Sequence, residues 1–156
     1  MRPTLRRVAA GLAGSWAGST AAIGFVAAPI LFATLPRADA GRVAARLFAV
    51  DATIGICAGA LLLLFTFQLA RRAAESGASR FSTDMLLVLG ALFCIVAGHY
   101  ALAPLLAGAR GDSGRFALLH GVASVFFVVK LVAIAVVAWR LSGAGAADAT
   151  ASAPTS

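Results

Sequence analysis

The sequence predicts an all-α integral membrane protein, a four-helix bundle with antiparallel up-down topology. Of its 156 residues, 61% are apolar and 12% are charged, which leaves too few polar side chains to cover a soluble domain. Charged residues are also missing from long stretches; the longest, between Arg7 and Arg37, has 29 residues without a charge. Because a helix crosses the hydrocarbon in about 20 residues, each such stretch predicts a membrane span.

The charge-poor stretches predict four helices and a tail. The apolar residues run on without the alternation of a membrane β-barrel strand, so we expect helices. They are predicted near residues 8–34, 44–70, 84–107 and 116–141. The connections at residues 36–41, 76–82 and 108–114 are short, which favours antiparallel neighbours. Residues 1–142 thus form a transmembrane domain, and the Ala-, Gly-, Ser- and Thr-rich residues 143–156 are predicted to be a disordered tail.

The first helix is expected to remain in the mature protein. Arginines precede it, and Ala38-Asp39-Ala40 after it resembles a signal-peptide cleavage site. Signal-peptide cores, however, span about 7–15 apolar residues, and this run is far longer.

The other three helices fill charge-poor stretches of 24 or 25 residues. Asp51 is the single charge in the stretch of the second helix, and Lys130 is the single charge in that of the fourth.

Arginine placement predicts the orientation. Seven arginines fall on the side of the two termini and the second connection, and five on the other side. The seven are Arg2, Arg6, Arg7, Arg71, Arg72, Arg80 and Arg140, and the five are Arg37, Arg42, Arg46, Arg110 and Arg115. Since short basic loops stay inside, we expect both termini to be cytoplasmic and the protein to lie in the bacterial cytoplasmic (inner) membrane. The net charge of +7 then serves contact with anionic headgroups, and no nucleic-acid partner is expected.

Glycines and prolines predict how the helices pack and bend. Helices in lipid associate through close approach at small residues. Gly14 with Gly18, and Gly55 with Gly59, are spaced to form such seams on the first and second helices. Pro29 and Pro104 lie inside the first and third helices, where each removes a backbone hydrogen bond and should bend its helix.

Several short motifs resemble a known family. They are Trp16, Gly18, Ala28-Pro29-Ile30-Leu31-Phe32, Leu35, Ala40-Gly41 and Leu47-Phe48, and, in the last helix, Phe116, Leu119-His120-Gly121 and Ser124. This pattern is similar to that of the domain-of-unknown-function family 4149, whose relatives include transmembrane-protein-205-like proteins. The resemblance implies a four-helix membrane fold over nearly the whole chain and implies no particular activity.

Polar side chains inside the spans are the candidate functional residues, because such groups are costly in hydrocarbon. Asp51 and His120 are each five residues past an arginine, about 7 Å inside the extracytoplasmic face, and His99 is about a turn deeper. With Ser124 they predict a polar cluster. It has four readings: packing and capping, a bis-histidine haem, another metal held by His99 and His120, or a transport or proton role.

Lys130 is the deepest charge in the sequence. It lies about 15 Å from the cytoplasmic boundary, too far for its side chain to reach water easily. It must therefore find a polar partner or lose its proton, and Ser15, Trp16 and Ser19 lie at comparable depth. A substrate or ion path lined by Lys130 is one prediction, and a locally hydrated lysine is the other.

The function classes that remain are those of small membrane proteins. Zinc-protease, phosphate-loop and nucleophile-elbow motifs are missing from the sequence, and an enzyme is the less expected class. Cys57 and Cys94 are expected to pack as small apolar residues. Three hypotheses remain: a permease-like or accessory membrane component in the lipid bilayer, acting as a homo-oligomer; a haem- or metal-binding redox protein; and a structural or assembly partner of a larger complex. No cofactor is required by the first.

Overall fold

The chain forms four long helices in the computed structural model, which describes residues 2–74, 82–109 and 111–151. Helix α1 comprises residues 2–34: an α-helix at Arg2–Ala22, a π-helical turn at Ile23–Ala27 and an α-helix at Ala28–Thr34. Helix α2 is Arg37–Ala74. Helix α3 comprises residues 83–108, with a π-helical segment at Val96–Leu102 between Thr83–Ile95 and Ala103–Gly108. Helix α4 is Ser113–Ala151. The described part of the chain contains no strand, as the sequence predicts.

The helices extend beyond the predicted spans. Helix α1 begins at Arg2 rather than near residue 8, and α2 begins at Arg37 rather than near residue 44. A charge-poor stretch marks the part of a helix that can lie in hydrocarbon. The helix itself can begin earlier, at the first residues whose backbone groups find hydrogen-bond partners. Pro36 directly precedes α2, and its carbonyl accepts a hydrogen bond from Ala40 N at 3.0 Å. Asp39 lies in the first turn, where its negative charge interacts favourably with the helix dipole.

The C-terminal end of α4 also differs from the prediction. Where the sequence predicts a disordered segment from residue 143, the helix continues to Ala151. Alanine is the strongest helix former, and an existing helix is extended at little cost. Residues 152–156 lie outside the described residues, as do Arg80, Arg110 and all of the predicted second connection except Ser82.

Both predicted proline sites adjoin a π-helical segment. In α1 the turn Ile23–Ala27 ends two residues before Pro29, and in α3 the segment Val96–Leu102 ends two residues before Pro104. A proline inside a helix lacks an N–H group and its ring crowds the carbonyl four residues earlier. A wider turn at that place accommodates both effects, and such turns are frequent at functional sites.

Each helix packs against its neighbours in the chain, and α4 also packs against α1. Trp16, Leu62, Val88, Ile134 and Val137 are almost fully buried between them. The outward surface remains apolar, with exposed side chains that include Phe25, Leu64, Phe93 and Leu118. All four helices are long and apolar enough to cross a membrane. This surface is what a bilayer would cover.

The two predicted glycine seams have different outcomes. The Gly55 and Gly59 seam is confirmed, because a Cβ at Gly55 would lie 2.7 Å from Ile95 Cδ1 and one at Gly59 would lie 2.5 Å from Leu92 Cδ2. The prediction for Gly14 and Gly18 is wrong: both are exposed, and nothing lies within 4 Å of a Cβ added to either. Spacing alone identifies a small-residue stripe but not the direction in which it faces.

Candidate intramembrane ion-pair site

A buried ion pair lies in the interior of the four helices. Lys130 Nζ on α4 donates to Asp51 Oδ2 on α2 at 2.6 Å. The two side chains are only 6% and 3% exposed, so water contributes little to the solvation of either charge. Lys130 therefore has the polar partner that its depth requires. The sequence placed Asp51 near a membrane face and did not predict this pairing.

The pair lies in the middle of the spans. Lys130 is 17 residues from the first residue of its candidate span and 13 from the last. The contact joins the ends of the two side chains at 2.6 Å, whereas the sequence places Asp51 about 7 Å inside one membrane face. Helices α2 and α4 have no Cα atoms within 8 Å of each other among the described residues. The two side chains thus bridge two helices whose backbones do not approach closely.

Thr20 on α1 completes the polar site. Its Oγ1 donates to Asp51 Oδ1 at 2.8 Å, and the residue is 0% exposed. Each carboxylate oxygen therefore accepts one hydrogen bond, the first from an ammonium group and the second from a hydroxyl. Both bonds are to a charged group, which makes them stronger than bonds between neutral partners. Three helices contribute one polar side chain each.

Aromatic rings cover one side of the pair. Lys130 Nζ lies over the Phe127 ring, 5.0 Å from its centroid, which is within cation–π range. Phe48 and Phe25 contact the same ring edge-on, at centroid distances of 5.7 Å and 6.2 Å. We call Phe25, Phe48 and Phe127 the Phe127 cluster. It lies toward the end of α1 and the starts of α2 and α4, since Phe48 precedes Asp51 and Phe127 precedes Lys130.

A second tight contact lies one helical turn away on the other side of the pair. Trp16 precedes Thr20 by four residues and Gly55 follows Asp51 by four, so both are on the polar residues' faces. A Cβ at Gly55 would lie 3.1 Å from Trp16 Nε1 and 2.7 Å from Ile95 Cδ1. We call Trp16, Gly55 and Ile95 the Trp16 layer. Trp16 Nε1 is buried and has no hydrogen-bond acceptor among the described residues.

The predicted histidine cluster has a different geometry. His120 is exposed, its ring is stacked on Phe116 at 5.9 Å, and its carbonyl accepts from Ser124 Oγ at 2.8 Å. His99 is half-buried and its ring contacts Tyr100 edge-on at 5.0 Å. Neither histidine hydrogen-bonds to Asp51, whose described partners are Thr20 and Lys130. Within the described ranges, no group of three or more His, Cys, Asp or Glu side chains is placed to hold a metal ion.

A second ion pair lies at the periphery, where α1 and α3 begin. Arg140 Nε donates to Asp84 Oδ1 at 2.5 Å, with side chains 48% and 19% exposed. Arg6 Nε donates to the carbonyl of Leu141 at 3.1 Å. Asp84 is in the first turn of α3, whose N-cap is Ser82 with its Oγ accepting from Met85 N. These contacts tie α1 and α3 to the end of α4.

Sequence reasoning missed three parts of this site. Thr20 has no distinguishing motif, although it is the hydroxyl residue of α1 that reaches Asp51. Phe127 appears in the sequence as one of several apolar neighbours of Lys130, and Trp16 as a general neighbour at its depth. Trp16 and Thr20 are four residues apart on α1, and Asp51 and Gly55 are four residues apart on α2. Each pair therefore shares one helix face, and this equal spacing is the sequence signal that the two faces can meet.

These features define the class of the protein. It is all-helical in its described part, with four apolar helices that can each cross a membrane and a charged pair between them. The family model described as Domain of unknown function (DUF4149) matches residues 11–115. The chain belongs to this family, as the sequence motifs predict. No curated protein and no solved structure matches the chain.

The family match divides the site between two parts of the chain. Thr20, Asp51 and Trp16 lie within the matched residues, whereas Phe127 and Lys130 lie beyond residue 115. The motif at His120 and Ser124 is also outside the matched range. The acidic and hydroxyl half of the site therefore lies in the part that the family model describes, and the basic half on α4 does not.

Proposed function

We propose that this is a permease-like component of the bacterial cytoplasmic membrane in which Asp51 and Lys130 form a proton-exchanging centre. One observation carries the proposal: oppositely charged side chains meet at 2.6 Å in the middle of four apolar helices, almost without exposure. Ionisable residues at such depth are costly and typically mark proton or ion paths. A purely structural core could be built from apolar side chains at lower cost.

The topology proposed is the antiparallel up-down bundle. Its support is the order of the contacts between neighbouring helices. Along α1 and α4, Arg6 contacts Leu141 and Gly24 contacts Phe127, so residues earlier in one helix meet residues later in the other. The contacts from Trp16 to Gly55 and from Thr20 to Asp51, between α1 and α2, run in the same reversed sense. The arginine balance supports cytoplasmic termini.

The chemistry of the pair allows a proton to move without a water molecule between the groups. Transfer of one proton from Lys130 Nζ to Asp51 Oδ2 converts the ammonium and carboxylate into an amine and a carboxylic acid. Both products are neutral, so the pair remains balanced in hydrocarbon. The Thr20 hydroxyl keeps the second carboxylate oxygen in place during the exchange. A group that reaches either side chain could then take up or supply the proton.

Proton flux into reconstituted vesicles tests the proposal. A potassium diffusion potential across the vesicle membrane drives protons inward, and an internal pH-sensitive dye reports them. Asp51→Asn and Lys130→Met should reduce the flux to that of protein-free vesicles. The matched controls are Asp84→Asn and Arg140→Met, which remove the peripheral pair and should leave the flux near the wild-type value.

A structural role for the pair is separated from a proton role by the double variant Asp51→Leu with Lys130→Met. This variant removes both charges together and should fold, because a buried ion pair can be replaced by apolar side chains without loss of stability. If the folded double variant conducts protons like the wild type, the pair is a structural tie and the proposal is wrong.

A homo-oligomer is the proposed working form, because a single four-helix bundle has little room for a pore beside its packed core. The measurement is the mass of the detergent-solubilised protein by light scattering, after subtraction of bound detergent. More than one copy per particle is expected. A single copy in particles that retain proton flux would contradict this part of the proposal.

A further inference from the structure

We infer that the Phe127 cluster and the Trp16 layer are two gates that separate the Asp51–Lys130 pair from opposite sides of the membrane. The inference rests on the proposed function, because a proton-exchanging centre must be reached from each side in turn. It concerns access to the pair, whereas the proposed function concerns the chemistry of the pair. Each gate can therefore be tested without measuring transport.

The first gate is the ring of Phe127. It lies directly against the Lys130 ammonium group, and Phe48 and Phe25 contact it edge-on from α2 and α1. Any proton carrier approaching from the end of the bundle with the α1–α2 connection meets these rings before it meets Lys130. Rotation of the Phe127 side chain would remove the ring that lies directly against the ammonium group.

Gly24 positions the Phe127 ring. A Cβ at position 24 would lie 2.6 Å from Phe127 Cε1 and closer still to Cζ, so any side chain there would displace the ring. Gly24 and Phe25 both belong to the π-helical turn Ile23–Ala27 of α1, just before Pro29. That turn lacks regular α-helical hydrogen bonding, so the part of α1 that holds the ring is also the part where the helix can most easily change shape.

The second gate is the Trp16 layer, one turn away toward the start of α1. Trp16 is 2% exposed and its indole lies against Gly55, where a Cβ would be 3.1 Å from Nε1. Trp16 Nε1 has no acceptor among the described residues, and the indole packs closely against Gly55. Movement of the indole would open the contact with Gly55 and Ile95 on this side of the pair.

A cysteine in the site reports access to it. Thr20→Cys puts a thiol beside Asp51, in a background with Cys57→Ala and Cys94→Ala, and a charged methanethiosulfonate reagent that cannot cross lipid is added to one side of oriented vesicles. With both gates intact the thiol should react slowly from both sides. Phe127→Ala should raise the labelling rate about tenfold or more from the side of the α1–α2 connection alone. Trp16→Ala should raise it from the other side alone and by a smaller factor, because the buried Leu62, Val88 and Val137 lie between the Trp16 layer and that end.

Phe126→Ala is the matched control. Phe126 is adjacent on α4, but its ring contacts Phe93 and is not part of the Phe127 cluster. It should leave the labelling rate unchanged. A rate increase in Phe127→Ala that equals the increase in Phe126→Ala, or that appears equally from both sides, would show general loosening of the bundle and overturn the inference.

Gly24→Ala provides a second variant that removes no core side chain. It should displace the Phe127 ring and raise labelling from the same side as Phe127→Ala. Combined with Phe127→Ala, it should add nothing further, because the ring it displaces is absent. If the pair variants lose proton flux while the gate variants keep the wild-type labelling rate, the proposed function is supported and the gates are wrong. If the pair variants keep their proton flux while the gate variants label faster, the gates are supported and the proton role is wrong.

Discussion

Two of the ion pairs among the described residues have nearly equal lengths and very different surroundings. Lys130 and Asp51 meet at 2.6 Å in the interior with side chains 6% and 3% exposed, and Arg140 and Asp84 meet at 2.5 Å at the periphery with side chains 48% and 19% exposed. Solvent screens the second pair and barely reaches the first. Distance therefore says little about what a pair contributes; burial decides how much its loss costs.

The largest effect is expected when one interior charge is removed. Lys130→Met leaves the Asp51 carboxylate buried without its charged partner, which should destabilise the fold by about 3–5 kcal/mol. Unfolding in mixed detergent, followed by circular dichroism, measures the change. The double variant Asp51→Leu with Lys130→Met should recover most of that loss. A single variant as stable as the wild type would show that water already solvates Asp51.

A smaller effect is expected from filling the interior seam. Gly55→Ala places a methyl group against Ile95 and the Trp16 indole and should cost about 1–3 kcal/mol. The outward-facing Gly14 is the control: Gly14→Ala meets open space and should be neutral or stabilising by up to about 1 kcal/mol. Equal destabilisation of both variants in the same unfolding assay would contradict the seam assignment.

The peripheral pair should matter less. Asp84→Asn removes the charge that Arg140 contacts, and because Arg140 is about half exposed the loss should be at most about 1 kcal/mol. It should shrink further in high salt, which screens exposed charges. The same unfolding assay at low and high ionic strength checks this. A loss as large as that of Lys130→Met would remove the distinction between the two pairs.

The smallest effect is expected at the two histidines. His120 is exposed on the outer surface and His99 packs edge-on against Tyr100, so His120→Ala and His99→Ala should change stability by less than about 0.5 kcal/mol. Purified protein should be colourless, and metal analysis should find no stoichiometric metal. A Soret band lost in either variant would instead support the haem alternative and place the functional centre at the histidines.

The charge pattern predicts the features that depend on the surrounding solvent, such as the number of helices. It predicts little about which side chains meet where two helix faces pack together. Four stretches without charges are enough to identify four helices, because hydrocarbon excludes charge regardless of the neighbouring helices. The same reasoning predicts that Lys130 needs a partner. It does not identify Asp51, because the arginine five residues before it suggests a shallow position, and the charge pattern does not show that the Lys130 side chain reaches it.

The direction of a helix face is the other property that single-sequence reasoning left open. Gly14 and Gly55 have the same spacing to a second glycine, yet the first faces outward and the second packs against Trp16. Spacing establishes which residues share a face, and only the arrangement of all four helices decides where that face points. Of the two predicted seams only the one on α2 faces inward: Gly55 and Gly59 are buried, and Asp51 on the same face is buried with them.

The bridge between α2 and α4 has a consequence for biogenesis. The first half of the chain brings one buried negative charge into the bilayer and the second half brings one positive charge, and neither is neutralised within its own hairpin. Each hairpin by itself therefore carries a buried charge without its charged partner. Packing of the two hairpins against each other satisfies both charges through one contact.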